Sequence, residues 1–197
     1  MKSKKHNIVL DLDNTLLYAM PLKNYDKIKH EKKDKISKFK KIPIYDDKEK
    51  DSGYMIFLRP HLSSFLNFLF KNFRVGVWSS GNESYVDFIV KNIILKGNSS
   101  RQTKRNLDFV FHSDNCDESE KKYGKDKIKD LRYIWDVKKK KGYNDSNTFI
   151  IDDLEQVHEI QPKNTLKIKS FSFGNKESHK DKHLEVMKDK LTYKFLE

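Results

Sequence analysis

The sequence predicts an α/β fold built on an open parallel sheet, and three observations predict it. Three short apolar runs, starting at Ile8, Arg74 and Thr148, read as buried strands. Each run ends in a polar cluster, and helix-patterned segments separate the runs. The ligand crevice of such a sheet lies beyond the C-terminal ends of its strands, so the three clusters are expected to converge.

The first run, IVL over 8–10, leads without a break into Asp11, Leu12, Asp13, Asn14 and Thr15. A strand period of two sends Asp11 and Asp13 to one side and Leu12 to the core. Neighbouring carboxylates repel, so such a pair either holds a hard cation such as Mg2+ or keeps one proton back. An isolated D-x-D after a strand is commonly a solvated turn. D-x-D-x-T directly after a buried strand is more specific.

Residues 23–41 are Lys-rich with few apolar positions and no clear period, and read as an exposed, partly mobile insertion. Deleting 23–38 is expected to leave the fold intact. Two strand-like runs, KKIPIY and YMIFL, then predict a β-hairpin insertion over about 40–58. Pro60 precedes an amphipathic helix over 61–73, with Leu62, Phe65, Leu66, Leu69 and Phe73 on one face. The strand RVGVW at 74–78 ends in Ser79, Ser80, Gly81 and Asn82, a turn before a helix over 83–95. A polar loop over 96–106, a strand over 107–111 and a helix over 125–140 follow, the helix read from Ile128, Leu131, Ile134 or Trp135, and Val137. The strand TFII at 148–151 ends in Asp152 and Asp153. An alternating strand over 165–173 and a helix over 179–196 close a single domain spanning 1–197.

At 197 residues with 36% hydrophobic content, 13 Phe and 9 Tyr, the chain buries a real core and is not disordered. The net charge of +12 points to phosphate-bearing partners: nucleic acid, phosphoprotein or an anionic surface. The same excess, mostly Lys beside much Asn, Ile and Phe, is also what AT-rich coding produces. Cys116 is the only cysteine, which excludes an intrachain disulfide. Its acidic neighbours Asp114, Asp117 and Glu118 argue against a cysteine nucleophile. No apolar run reaches membrane-span length and no secretory segment leads the first strand, so a cytoplasmic or nuclear monomer with no membrane partner is expected.

The D-x-D-x-T run resembles the first signature motif of the haloacid dehalogenase superfamily of phosphohydrolases. The resemblance implies that Asp11 is the nucleophile and Asp13 the general acid/base. The blocks YMIFLRPHLSSFL (54–66), VWSSGNESYVD (77–87), IKDL (128–131) and FIIDD (149–153) are similar to successive blocks of one subfamily. That subfamily is the NLI-interacting-factor-like, or small C-terminal-domain, phosphatases, which act on Ser/Thr phosphates in the tail of the RNA polymerase II large subunit. The resemblance implies Ser79 and Lys129 as phosphate-holding residues. It implies Mg2+ held by Asp11, Asp152 and the backbone carbonyl of Asp13, with Asn14, Thr15, Ser80 and Asp153 around the phosphate or supporting these groups. It also implies a Rossmann-like three-layer α/β sandwich with a small hairpin insertion in place of a large cap.

Two positions depart from the subfamily. Ser113 stands where an Arg contacts the substrate peptide, and Asn82 where a Leu lines a pocket for a substrate proline. A nucleic-acid 3′ or 5′ phosphatase on the same scaffold is the alternative that the charge favours. A catalytically silent binding module is the third reading, against which the retention of both aspartates, the lysine and the fourth-motif acid argues.

Overall fold

The computed structural model describes residues 6–45, 53–96, 105–126 and 128–197. The first half of the chain forms β1 (Asn7–Leu10), β2 (Leu17–Pro21), α1 (Leu22–Ile28), α2 (Lys33–Ser37), β3 (Lys41–Tyr45), β4 (Gly53–Leu58) and α3 (Leu62–Asn72). The second half forms β5 (Arg74–Trp78), α4 (Glu83–Ile89), β6 (Val110–Phe111), α5 (Ser113–Tyr123), β7 (Thr148–Asp152), α6 (Glu155–Ile160), β8 (Thr165–Lys167) and α7 (His183–Phe195). π-helical turns at Val90–Ile94 and Tyr133–Val137 complete the helical layers.

Five strands make a parallel sheet in the order β6-β5-β1-β7-β8, with β1 at its centre. Alternation along each strand divides the core between two faces. Ile8 and Leu10, Val75 and Val77, and Phe149 and Ile151 pack on one face against α3, α4 and α7. Val9, Trp78 and Ile150 pack on the other with Cys116, Tyr133 and Val157. Helices cover both faces of the sheet, giving the predicted three-layer α/β sandwich. Gly76 is needed in β5, because an added Cβ would lie 2.4 Å from the Phe109 ring.

The hairpin over 40–58 is present as β3 and β4, and β2 joins it to make a three-stranded antiparallel sheet in the order β2-β4-β3. The hairpin tip, 46–52, lies outside the described residues, as does most of the loop predicted over 96–106. Residues 23–41 are mostly exposed and also carry inward-facing side chains. The stretch forms α1 and α2, and Ile36 and Phe39 are buried. They pack with Leu22, Phe57, Phe171 and Phe173 in a third apolar cluster beneath the insertion sheet. Removing 23–38 would open that cluster.

Three other elements differ from expectation. Residues 125–140 are not one helix. Gly124 and Asp126 take positive φ values of 108° and 69°, and the helical element among the segment's described residues is Tyr133–Val137. The acidic stretch before it is α5, whose buried positions Asn115, Cys116 and Ser119 are small or polar and leave no hydrophobic period. The alternation over 165–173 is a strand only at β8. Beyond it, Phe171 and Phe173 turn into the third cluster without pairing in a sheet. No helix among the described residues is long and apolar enough to cross a membrane.

Phe39 meets Phe57 edge-on at 5.8 Å and Phe173 at 5.7 Å between ring centroids. Phe39→Ala is expected to lower stability by about 3–5 kcal/mol, the range for deleting a buried aromatic side chain, read by urea unfolding. A loss within about 0.5 kcal/mol, as for a surface substitution, would restore the exposed-insertion reading.

Candidate active site

The register of the parallel sheet decides which residues meet. Leu10 of β1 lies level with Val77 of β5 and Ile151 of β7. The next residues along each chain are therefore neighbours too: Asp11, Trp78 followed by Ser79, and Asp152. The Asp11 N–H donates to the Ile151 carbonyl at 3.1 Å, which carries the pairing one residue past the strand. Asp11, Ser79 and Asp152 are all buried. The convergence expected from strand polarity is present.

Lys129 enters from the turn before Leu131, and its ammonium is fully buried between two carboxylates. Nζ lies 2.6 Å from Asp11 Oδ1 and 2.8 Å from Asp152 Oδ2. Burial works against the charge of this ammonium, and the two carboxylates outweigh it, holding the lysine pKa above its ordinary value. Burial pushes the Asp11 carboxyl up to about 7, against the pull of Lys129 and with Asp152 adding to the rise. The lysine turn is fixed from outside the site. Gln161 Nε2 donates to the Lys129 carbonyl at 2.8 Å, and the Leu131 N–H donates to Gln161 Oε1 at 3.0 Å. Asp130 forms a two-pronged pair with Arg132, and its N–H donates to Ser119 Oγ at 3.3 Å.

Asp13 is less buried and has a different partner. The Tyr85 hydroxyl donates to Asp13 Oδ1 at 2.5 Å. Burial and the Asp13 carboxylate hold the Tyr85 phenol protonated well above its ordinary range, so it can only donate here. Burial also raises the Asp13 carboxyl, and the Tyr85 hydrogen bond and Lys129 moderate that rise. Tyr85 was missed in the sequence. Its signal is a hydroxyl-bearing aromatic in the first turn of the helix after the second polar cluster.

The remaining predicted residues divide. Thr15 is buried, and its hydroxyl donates to Asp153 Oδ1 at 3.1 Å, tying the first strand end to the third polar cluster. Ser79 Oγ accepts the Gly81 N–H at 3.0 Å, so the serine shapes its own turn, while Asn82 caps α4 through the Tyr85 N–H. Asn14 takes a φ of 59° and holds its turn through the backbone, its carbonyl accepting the Phe171 N–H at 2.6 Å. Ser80 is exposed in the turn after β5. Arg59, a member of the R-P-H block with no assigned role, is fully buried. It donates to the Thr15 and Lys169 carbonyls, both at 2.8 Å, and pairs with Asp181 through Nε at 2.9 Å. This guanidinium fastens the loop after β1 to the chain beyond β8.

Asp11, Asp152 and Asp153 each offer a carboxylate oxygen, and these oxygens lie within 4.8 Å of one another. With all three ionised, three carboxylates against the single Lys129 ammonium leave two negative charges in excess. A dication would neutralise that excess. The all-oxygen donor set suits a hard ion such as Mg2+. Asp153 thus lies beside Asp11 and Asp152, two of the three expected ligands, while at Asp13, whose backbone carbonyl is the third, the carboxylate faces Tyr85.

Comparison with known proteins agrees with this geometry. The family described as NLI interacting factor-like phosphatase matches residues 6–195. The CTD phosphatase-like protein 355R of Invertebrate iridescent virus 6 is 38% identical, covering 94% of this chain and 96% of its own length. Its counterpart in Invertebrate iridescent virus 3 is 36% identical over 98% of both. Among solved structures, the RNA polymerase II CTD phosphatase Fcp1 superposes with a TM-score of 0.58 at 19% identity, over 96% of this chain and 49% of that one. This chain therefore spans about half the length of the solved Fcp1 chain. A haloacid dehalogenase family enzyme from Bacteroides thetaiotaomicron, solved with magnesium and inorganic phosphate, gives 0.51 at 15% identity, over 89% and 98% of the two chains. At these identities the superpositions speak for the fold, and the sequence match speaks for the family. The chain belongs to the NLI interacting factor-like phosphatases.

Proposed function

We propose that the chain is a Mg2+-dependent phosphomonoesterase acting on phosphoserine or phosphothreonine in proteins through an aspartyl-phosphate on Asp11. The observation that carries this reading is the buried Lys129 ammonium between Asp11 and Asp152, with Asp153 beside them, at the ends of adjacent parallel strands. The names of the relatives support a polymerase tail or another phosphoprotein as substrate.

In this mechanism Asp11 attacks phosphorus in line, its carboxylate oxygen forming the new bond as the bond to the leaving oxygen breaks. Asp13 gives its proton to that leaving oxygen and later takes one from the water that attacks the aspartyl-phosphate, releasing phosphate and regenerating Asp11. Lys129 and Ser79 hold the equatorial oxygens, where transition-state charge concentrates. Mg2+, held by Asp11, Asp152 and Asp153, would supply charge neutralisation between nucleophile and phosphate. Asn82 is a polar side chain occupied as a helix cap, which supports a substrate choice that rests less on proline than in the polymerase-tail enzymes.

Hydrolysis of an aryl phosphate is expected to need Mg2+, to stop on chelation and to return when Mg2+ is restored. Asp11→Asn should reduce turnover by at least about a thousandfold, since loss of a nucleophile removes the covalent route. Activity within about tenfold of the parent would remove the assignment. Asp13→Asn should slow phosphoserine peptides far more than activated aryl phosphates, and equal losses would argue against an acid role. A panel adding phosphate-ended oligonucleotides separates protein from nucleic-acid substrates.

The Tyr85 hydroxyl stabilises the charged form of Asp13, so Tyr85→Phe raises the Asp13 pKa further. The proton-donating form then persists to higher pH. The alkaline limb of the kcat profile should move up by about one to two pH units, the equivalent of one hydrogen bond to a charged group. An unmoved limb would separate Tyr85 from the acid.

A further inference from the structure

We propose that the cavity between β3, the start of α3 and the π-helical turn after α4 is a docking groove for an acidic segment of a partner protein that carries aliphatic side chains. The cavity measures about 650 Å³ and includes none of Asp11, Asp13, Ser79, Lys129, Asp152 or Asp153. Its size is in the range of sites that enclose a few side chains.

Charge sets the class of occupant. Lys38, Lys40, Lys41 and Lys96 stand exposed around the opening, and no Asp or Glu lines the cavity among the described residues. Arg59 contributes little field, because Asp181 neutralises it. Arg105 differs: it is buried in the wall, donates to the Ile94 carbonyl at 2.8 Å and to Asn67 Oδ1 at 2.6 Å, and meets no carboxylate among the described residues. Its Nε has no hydrogen-bond partner among the described residues, which leaves a buried donor suited to an acceptor from outside. A low-dielectric concavity lined by one sign of charge concentrates ligands of the other sign.

The floor then selects protein over nucleic acid. It is made by Ile42, Leu58, Leu62, Leu66 and Ile93, all aliphatic. No Tyr or Trp lines the cavity among the described residues; Phe39 is buried against Phe57 and Phe173, and the imidazoles of His179 and His61 are engaged by the Phe39 ring and by Glu185. Leucine or isoleucine side chains fit such a floor while flanking carboxylates reach the lysines. The groove stands apart from phosphate chemistry and does not rest on the catalytic reading.

The test is fluorescence anisotropy with the whole chain and a fluorescein-labelled peptide alternating Asp and Leu, beside an all-Asp peptide and a single-stranded oligonucleotide. Saturable binding of the Asp-Leu peptide is expected, weakening with added salt. The double variant Lys38→Glu, Lys41→Glu should weaken it at least about tenfold, since charges facing an acidic partner are reversed. Both lysines are exposed, so circular dichroism and aryl phosphate turnover should match the parent. Hydrogen exchange should slow over 38–42 and 58–66 on binding. The proposal is overturned by no saturable binding or by equal affinity of the double variant. Equal affinity of the all-Asp peptide, protection elsewhere, or an oligonucleotide that binds tighter and protects the same residues would also overturn it.

Discussion

A buried lysine between two buried aspartates is the interaction on which the rest of the structure depends. Removing three charged groups from water is expensive, and the attraction among them compensates only when the geometry is held closely. At 2.6 and 2.8 Å the ammonium bonds both carboxylates, so the ends of β1 and β7 and the turn before Leu131 are fixed with respect to one another. Removing Lys129 would leave Asp11 and Asp152 facing each other without compensation. Gln161 and the Asp130–Arg132 pair have no contact with the reacting groups and serve to hold the lysine turn in place.

The sheet supplies the other half of the constraint. Parallel pairing in register brings Asp11, Ser79 and Asp152 to one edge, while alternation along the same strands fills both core layers. Arg59 performs the corresponding task for the loop after β1, linking the Thr15 carbonyl to Lys169 and Asp181. Thr15 in turn bonds Asp153, so Arg59, the first motif and the third polar cluster share one polar network.

What was legible in the sequence was local. A strand with a period of two running into acids can be read from ten residues, and three such strands separated by helices imply where the acids meet. Asp11, Asp13, Ser79 and Asp152 were accessible in that way. Lys129 was not, because nothing in a chain so rich in lysine distinguishes one ammonium until a turn buries it, and only the family resemblance pointed there. Tyr85 and Gln161 act across the fold and leave no local period. Helix α5 was hidden because its buried positions are Asn115, Cys116 and Ser119. Lys-rich residues 23–41 looked dispensable because only Ile36 and Phe39 are buried, with Tyr25 and Ile28 partly so, and so few inward side chains in a charged stretch do not make a pattern. Phe171 and Phe173 misled in the opposite direction, since alternate burial in a loop imitates a strand.

The account stands or falls on Asp11 as the site of covalent phosphorylation, and trapping that species tests it most directly. The enzyme would be mixed rapidly with a radiolabelled phosphomonoester in the presence of Mg2+, quenched in acid and mapped by peptide mass spectrometry. The account predicts a hydroxylamine-labile phosphoryl group on the peptide containing Asp11. Label on any other residue, or full turnover with no phosphorylated protein at any quench time, would contradict it.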